Sequence, residues 1–342
     1  MIKHLLWGTA LLVSSQVVFA QVRPVTDDPQ GQTSPKSATV LQIPPITVDG
    51  DLSDWPGGVE KRSINVYLAG FGYQQESRAT GTQDNWFQLA WNDSENKLYI
   101  SGWSEDDVNV TQLSKWFNPD DFSQFGAPWF YDRYEIYIEH DNSDSGAFGF
   151  GLTDGDPGNV QYVIAANDPD RDDIVSLGGQ ETGADGTPVP GGTSFFISNF
   201  SDPALFQADG RPPFSDAVMI VTPADPNNAP FGRYTKQFEA AITPLNFFVE
   251  GIPPDPSTDV VDLGPDLNGG AGMGFDITMM DRDGIIDDSI PSDIINLSAN
   301  NEGAWIGWSD GSKNNNPQFD GTITFSMTFA TGGSDVSAWE LF

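Results

Sequence analysis

Trp86-Phe87-Gln88-Leu89-Ala90-Trp91 and Lys97-Leu98-Tyr99-Ile100-Ser101-Gly102-Trp103 are two short runs separated by Asn92-Asp93-Ser94-Glu95-Asn96. Aromatic and aliphatic side chains fill both runs, whereas Asn, Asp and Ser in the gap favour turns. The pattern predicts two strands with a polar connection. Similar runs, bounded by Gly, Asp, Asn and Pro, recur at Tyr134 to Glu139, Ala147 to Leu152, Val160 to Ala165, Phe195 to Ile197 and Val218 to Val221. More follow at Lys236 to Ile242, Gly274 to Met279, Ala304 to Trp308 and Thr322 to Phe329. Helical stretches are almost absent, the best being Thr111 to Phe117 with Thr111 as its N-cap. Many short strands and almost no helix predict an all-β fold, an antiparallel β-sandwich. Long Asp/Gly/Pro-rich insertions interrupt it, chiefly at 166–193, 199–216 and 251–271. Loops of that length on a compact domain are functional or disordered.

The N-terminus has a short charged region at Lys3 and His4, an apolar stretch from Leu5 to Val13, and Val18-Phe19-Ala20 before Gln21. This is the pattern of a secretory signal peptide over residues 1–20, cleaved after Ala20. Its apolar part falls short of the roughly 20 residues that a spanning helix needs. A soluble secreted or periplasmic protein with no transmembrane segment is expected. Residues 21–45, rich in Pro, Gln, Thr and Ser, read as a flexible leader, and 46–342 as one sandwich domain. A net charge of −34 argues against nucleic acid and anionic membranes as partners, because both are bound by Lys and Arg. With no cysteine, disulfides contribute nothing, and stability must come from the core, to which a bound metal could add.

Five separated segments, in order, resemble the family 9 carbohydrate-binding modules and the wider DOMON-like sandwich group. They are Ile46-Thr47-Val48-Asp49-Gly50-Asp51-Leu52-Ser53-Asp54-Trp55; Phe87-Gln88-Leu89-Ala90-Trp91 followed by Leu98-Tyr99-Ile100 and Glu105-Asp106-Asp107; and Trp129-Phe130-Tyr131-Asp132-Arg133-Tyr134-Glu135-Ile136-Tyr137-Ile138. The others are Phe238-Glu239-Ala240-Ala241-Ile242-Thr243-Pro244 and the stretch from Gly274-Phe275-Asp276-Ile277 to Gly307-Trp308-Ser309-Asp310. The resemblance implies a jelly-roll-like sandwich that binds a carbohydrate, with Trp129 stacking on a terminal sugar and Glu135 hydrogen-bonding it on an open face. Sugar recognition uses such a combination because a pyranose offers an apolar C–H face to a π system and hydroxyls to a carboxylate. The chain departs from the family where a second stacking Trp is expected, reading Ser312-Lys313-Asn314-Asn315-Asn316. Asn314 and Asn315 remain as amide hydrogen-bonders. A family Arg is also replaced, by Val163.

Trp55, Trp91, Trp103, Trp305 and Trp308 fall inside strand patterns or the opening motif and are expected in the core, whereas Trp86 and Trp116 sit beside insertions and are free to line a surface. Calcium takes six to eight oxygens, and loops alternating Asp with Gly supply them. Asp154 with Asp156, the run from Asp168 to Asp173, and Asp281, Asp283 and Asp287 are the candidate ligands for a structural calcium. Catalysis finds little support: the chain lacks Cys, has His140 as its one histidine beyond the signal peptide, and has no Gly-x-Ser-x-Gly motif. Two alternatives to carbohydrate binding stand. One is a haem-binding electron-transfer domain with His140 and Met273, Met279 or Met280 as axial ligands. The other is an extracellular matrix or filament subunit.

Clustered carboxylates repel until a cation neutralises them, and a ligand specific to the native state raises stability by RT ln(1 + [L]/Kd). Chelation with excess EDTA at fixed ionic strength is expected to lower the melting temperature by several degrees. An unchanged melting curve removes calcium from the account.

Overall fold

The computed structural model describes residues 36–64, 66–67, 85–108, 132–140, 147–148, 155–156, 159–166, 193–197, 211–223, 231–248, 252–264, 272–281, 285–286, 295–296, 304–308 and 321–330. Its strands are, in chain order, β1 (Lys36–Gln42), β2 (Arg62–Ser63), β3 (Val66–Tyr67), β4 (Trp86–Asn92), β5 (Lys97–Val108) and β6 (Arg133–Glu139). Next come β7 (Ala147–Phe148), β8 (Gly155–Asp156), β9 (Asn159–Ala166), β10 (Thr193–Ile197), β11 (Asp216–Pro223) and β12 (Phe231–Ile242). The last are β13 (Met273–Asp281), β14 (Ile285–Ile286), β15 (Ile295–Asn296), β16 (Ala304–Gly307) and β17 (Gly321–Phe329). A single 3-10 turn, Leu52–Asp54, is the one helical element among the described residues. No helix among them is long and apolar enough to cross a membrane.

The all-β expectation holds, and the two layers of the sandwich belong to one continuous sheet. Its order is β10-β9-β6-β13-β17-β1-β4-β5-β12-β11, with β16, β2 and β3 attached at the side. Most pairings are antiparallel, but β1 runs parallel to both β17 and β4, from Lys36 opposite Gly321 to Gln42 opposite Trp91. The far edges approach one another as well, since the Met219 backbone N–H on β11 donates to Thr193 Oγ1 on β10 at 2.7 Å. The sheet therefore curls into a nearly closed barrel-like sandwich.

Residues 36–45 correct the sequence reading, which places them in a flexible leader. They carry β1 and bury Ala38, Val40 and Ile43. Ser37, Thr39 and Gln42 give the segment a polar composition that masks the alternation of Ala38 with Val40. The insertion at 251–271 likewise has a built part. Val261 and Leu263 are buried in the core, and Asn96, in the connection between β4 and β5, donates to Val261 O at 2.8 Å and accepts from Leu263 N at 2.9 Å.

Period-2 alternation sends one face of every long strand inward. Phe87, Leu89 and Trp91 on β4 meet Tyr134, Ile136 and Ile138 on β6, Phe275 and Ile277 on β13, and Phe238 on β12 in one apolar cluster. The rings of Phe87 and Phe275 lie 6.0 Å apart, and Trp308 packs edge-on to Phe87 at 5.6 Å. Gly102 permits this packing, because a Cβ there would stand 2.2 Å from the Phe238 ring. One end of the interior is polar: Lys236 Nζ donates to Asp132 Oδ2 at 2.7 Å, and Tyr134 donates to Ser104 Oγ at 2.6 Å. A buried ion pair of this kind survives desolvation only with close geometry.

The outer face of β4, β5 and β12 is covered by the opening motif. Ile43, Trp55, Val59, Ala90, Tyr99 and Ala241 form a second, smaller core there. Its anchor is the fully buried Glu239, whose carboxylate accepts from the backbone N–H of Asp49 (3.1 Å) and Gly50 (2.7 Å) and from the Trp55 indole (2.7 Å). Gly50 turns the chain at φ +81°, the left-handed region that glycine adopts without strain. Burial raises the Glu239 carboxyl above its ordinary range, against the pull of these hydrogen bonds.

All three partners are donors, so an amide in place of the carboxylate would turn one oxygen into a third-party N–H facing an N–H. Glu239→Gln is expected to cost about 1–3 kcal/mol, the penalty of an unsatisfied buried group. Chemical denaturation of the variant measures this, and an unchanged midpoint would show that the motif is held by its apolar contacts alone.

Candidate functional site

Strand β6 buries all of its residues, so its outward-pointing side chains are no more exposed than its inward ones. Arg133, Glu135 and Tyr137 alternate with the core residues and share the outer face with Thr278 of β13 and Gln161 of β9, which lie across the ladder. Glu135 is the hub. Arg133 donates to Glu135 Oε1 from Nε at 2.6 Å and pairs with it from Nη2 at 2.5 Å. Tyr137 donates its hydroxyl hydrogen to Oε2, and Thr278 Oγ1 donates to the same oxygen at 3.3 Å. Gln161 Nε2 completes the set by donating to the Tyr137 hydroxyl at 3.3 Å. Burial, reinforced by the neighbouring Glu135 carboxylate, pushes the Tyr137 hydroxyl well above the usual phenol range, so it stays a proton donor.

The geometry sorts these bonds into two kinds. The guanidinium fork and the tyrosine hydroxyl hold the carboxylate tightly, as charge-assisted bonds do. The two 3.3 Å contacts, from Thr278 and Gln161, are long for their type and are the ones a competing hydroxyl could replace. The arrangement is a buried, fixed acceptor with two longer, weaker contacts beside it.

On the opposite outer face, Trp86 of β4 and Trp103 of β5 stand directly across from each other, ring centroids 6.4 Å apart and planes within 11°. Both are half-buried. Lys61 Nζ sits 3.9 Å from the Trp86 ring centroid.

No protein-family model and no curated protein matches the chain. Among solved structures, the chain is similar to a family 9 carbohydrate-binding module from Caldicellulosiruptor kristjanssonii. In that module's complex with glucose the identity is 15%, the TM-score 0.39, and the match covers 88% of this chain and 98% of that one. Its complex with cellotriose matches at 15% identity and a TM-score of 0.39, over 88% of this chain and 97% of that one.

Of the residues singled out from sequence, Glu135 lies in the β6 cluster, closed to solvent at 3% exposure where an open face was expected. Trp129, Asn314, Asn315, Asp154, Asp283, Asp287, Trp116 and the Thr111–Phe117 stretch lie outside the described residues. Asp156 falls on β8 and Asp281 ends β13. No group of three or more His, Asp or Glu side chains able to hold a metal ion occurs among the described residues. Met273 and Met279 pack in the apolar core, Met280 is buried on the other face of β13, and His140 is half-buried just after β6. Trp55, Trp91 and Trp308 are buried as expected, whereas Trp103 is corrected from core to outer face. Its parity explains this: on β5 it alternates with Gly102 and Ile100, so it shares a face with Ser101 and Tyr99.

Sequence reasoning passed over Arg133, Tyr137 and Thr278. The alternation Arg133-Tyr134-Glu135-Ile136-Tyr137 held the signal for the first two, since residues two apart on a strand share a face. Val163 stands directly opposite Glu135 on β9, and the cation that Glu135 needs comes from its own strand.

Arg133→Leu leaves the Glu135 carboxylate buried without its cation and is expected to cost about 3–5 kcal/mol. Thr278→Val removes a single long bond and should cost about 0.5–1.5 kcal/mol. Denaturant midpoints of the two variants test the ranking, and equal costs would mean that the cluster is not organised around the ion pair.

Proposed function

We propose that this protein is an exported, non-catalytic carbohydrate-binding protein that recognises a neutral sugar at the outer face of β6, with Trp129 as the stacking ring and Glu135 as the hydroxyl acceptor. The observation that carries the reading is the Glu135 cluster, a carboxylate immobilised by Arg133 and Tyr137 while its contact with Thr278, and that of Tyr137 with Gln161, stay long. Preorganised polar groups of this kind bind a hydroxyl-rich ligand without the entropic cost of ordering loose side chains. Trp129 stands six residues before Glu135 in the sequence, within the motif that carries the family resemblance. The strongly negative chain repels anionic glycans and favours neutral ones. A structural calcium among the Asp-rich loops completes the proposal.

Calorimetric titration with cellotriose, xylotriose and mannotriose tests it. Trp129→Ala should weaken binding of the preferred sugar by about 1–3 kcal/mol. Its stability should stay within about 0.5 kcal/mol of the native protein, as for other substitutions outside the core. A loss of about 3–5 kcal/mol in stability would instead assign the indole to the core. A stable variant that binds as before would remove Trp129 from the site.

A further inference from the structure

Trp86 and Trp103 have no role in the β6 cluster, and they differ from the structural tryptophans in two respects. Trp91 and Trp308 are buried at 0% and 2% exposure, whereas Trp86 and Trp103 are half-buried and open to the outer surface. Trp55 and Trp91 also spend their indole N–H on Glu239 and on Ser326 O, while those of Trp86 and Trp103 make no hydrogen bond among the described residues. Two near-parallel rings with unspent donors therefore stand where the opening motif stops covering the sheet. Lys61 lies over one face of the Trp86 ring, Ser63 pairs with Trp86 across the ladder, and Gln237, opposite Trp103, donates to Gly50 O.

We propose that Trp86 and Trp103 form a second carbohydrate-binding surface, taking neutral pyranose rings on the face of the sandwich opposite Glu135. This rests on the carbohydrate reading above and extends it to a second contact. The parity of the strands places the two surfaces apart: Phe87 and Tyr134 point into the common core, so their neighbours Trp86 and Glu135 point out of opposite layers. Two features of the surface select its occupant. A fully buried Trp covers only about 150–250 Å², so two half-buried rings fall far short of the roughly 800 Å² per partner that a stable protein interface needs. The charge of −34 disfavours anionic partners. A flat, uncharged ring with an apolar C–H face and a hydroxyl rim fits the remainder, its oxygens accepting from the indole N–H groups and from Lys61. With a sugar surface on each side, one molecule can hold two glycan chains, and retention on a polymer gains from both contacts.

Fluorine NMR of protein labelled with 5-fluorotryptophan tests the proposal, with Trp86→Phe and Trp103→Phe variants assigning the two resonances. Cello-, xylo- and manno-oligosaccharides are added to the native protein and to Trp129→Ala, with an alginate oligomer as anionic control. The expected result is that both resonances move with at least one neutral sugar in both proteins and stay put with alginate. Retention of a Trp86→Ala/Trp103→Ala variant on the matching insoluble polymer should fall by about tenfold. Resonances that ignore every neutral sugar the protein binds overturn the second surface and leave the β6 reading intact. Movement of both, together with unchanged overall affinity in Trp129→Ala, supports the second surface and removes the first. Movement with alginate but not with neutral sugars overturns the assignment of ligand class, and a protein that binds none of the sugars overturns both readings.

Discussion

Burial of both faces of the central strands is the constraint on which the rest of the structure depends. In an ordinary sandwich the outer face of a sheet meets water, and its polar side chains need no partner. Here β4 and β6 are covered almost completely on the outer side as well as the inner. Every polar group on the outer faces must then be matched within the protein, because an unmatched buried polar atom costs about 1–3 kcal/mol. Glu239 meets the demand by gathering three donors from the opening motif, and Glu135 by gathering Arg133, Tyr137 and Thr278. Gln88 and Asn92 do the same on a smaller scale, donating to Val59 O and Ile43 O.

The two carboxylate hubs have opposite consequences. Glu239 is bound to backbone and to an indole that forms part of a small core, so its bonds fix a segment of chain in place. Glu135 is bound by the side chains of Arg133 and Tyr137 on its own strand and of Thr278 on the neighbouring β13. The same physical requirement thus yields a backbone staple on one outer face and a side-chain cluster on the other.

Much of the fold was legible because alternation survives even where both faces are buried: Phe87, Leu89 and Trp91 point one way and Gln88 and Asn92 the other. Strand β1 was not legible, since its partners lie at residues 321–329 and 90–91 and nothing local announces a parallel pairing so distant in sequence. Trp103 was assigned to the core by residue type, although its parity with Ser101 places it outside. Glu135 was found through its motif. Its environment was not, because a carboxylate that is buried and paired looks the same in sequence as one that is exposed, and only the side chains across the ladder tell them apart.

Strand β1 also bears on how the molecule comes to be folded. It is the seam between the two layers, held by β17 on one side and β4 on the other. Its main partner is β17, far along the chain, so the seam cannot close until both segments are present. Pairings between such distant segments carry the full entropy of closing the loop between them and are slow to form. A seam wired between such distant segments is among the last pairings expected to form, and the closure of the whole barrel waits on it.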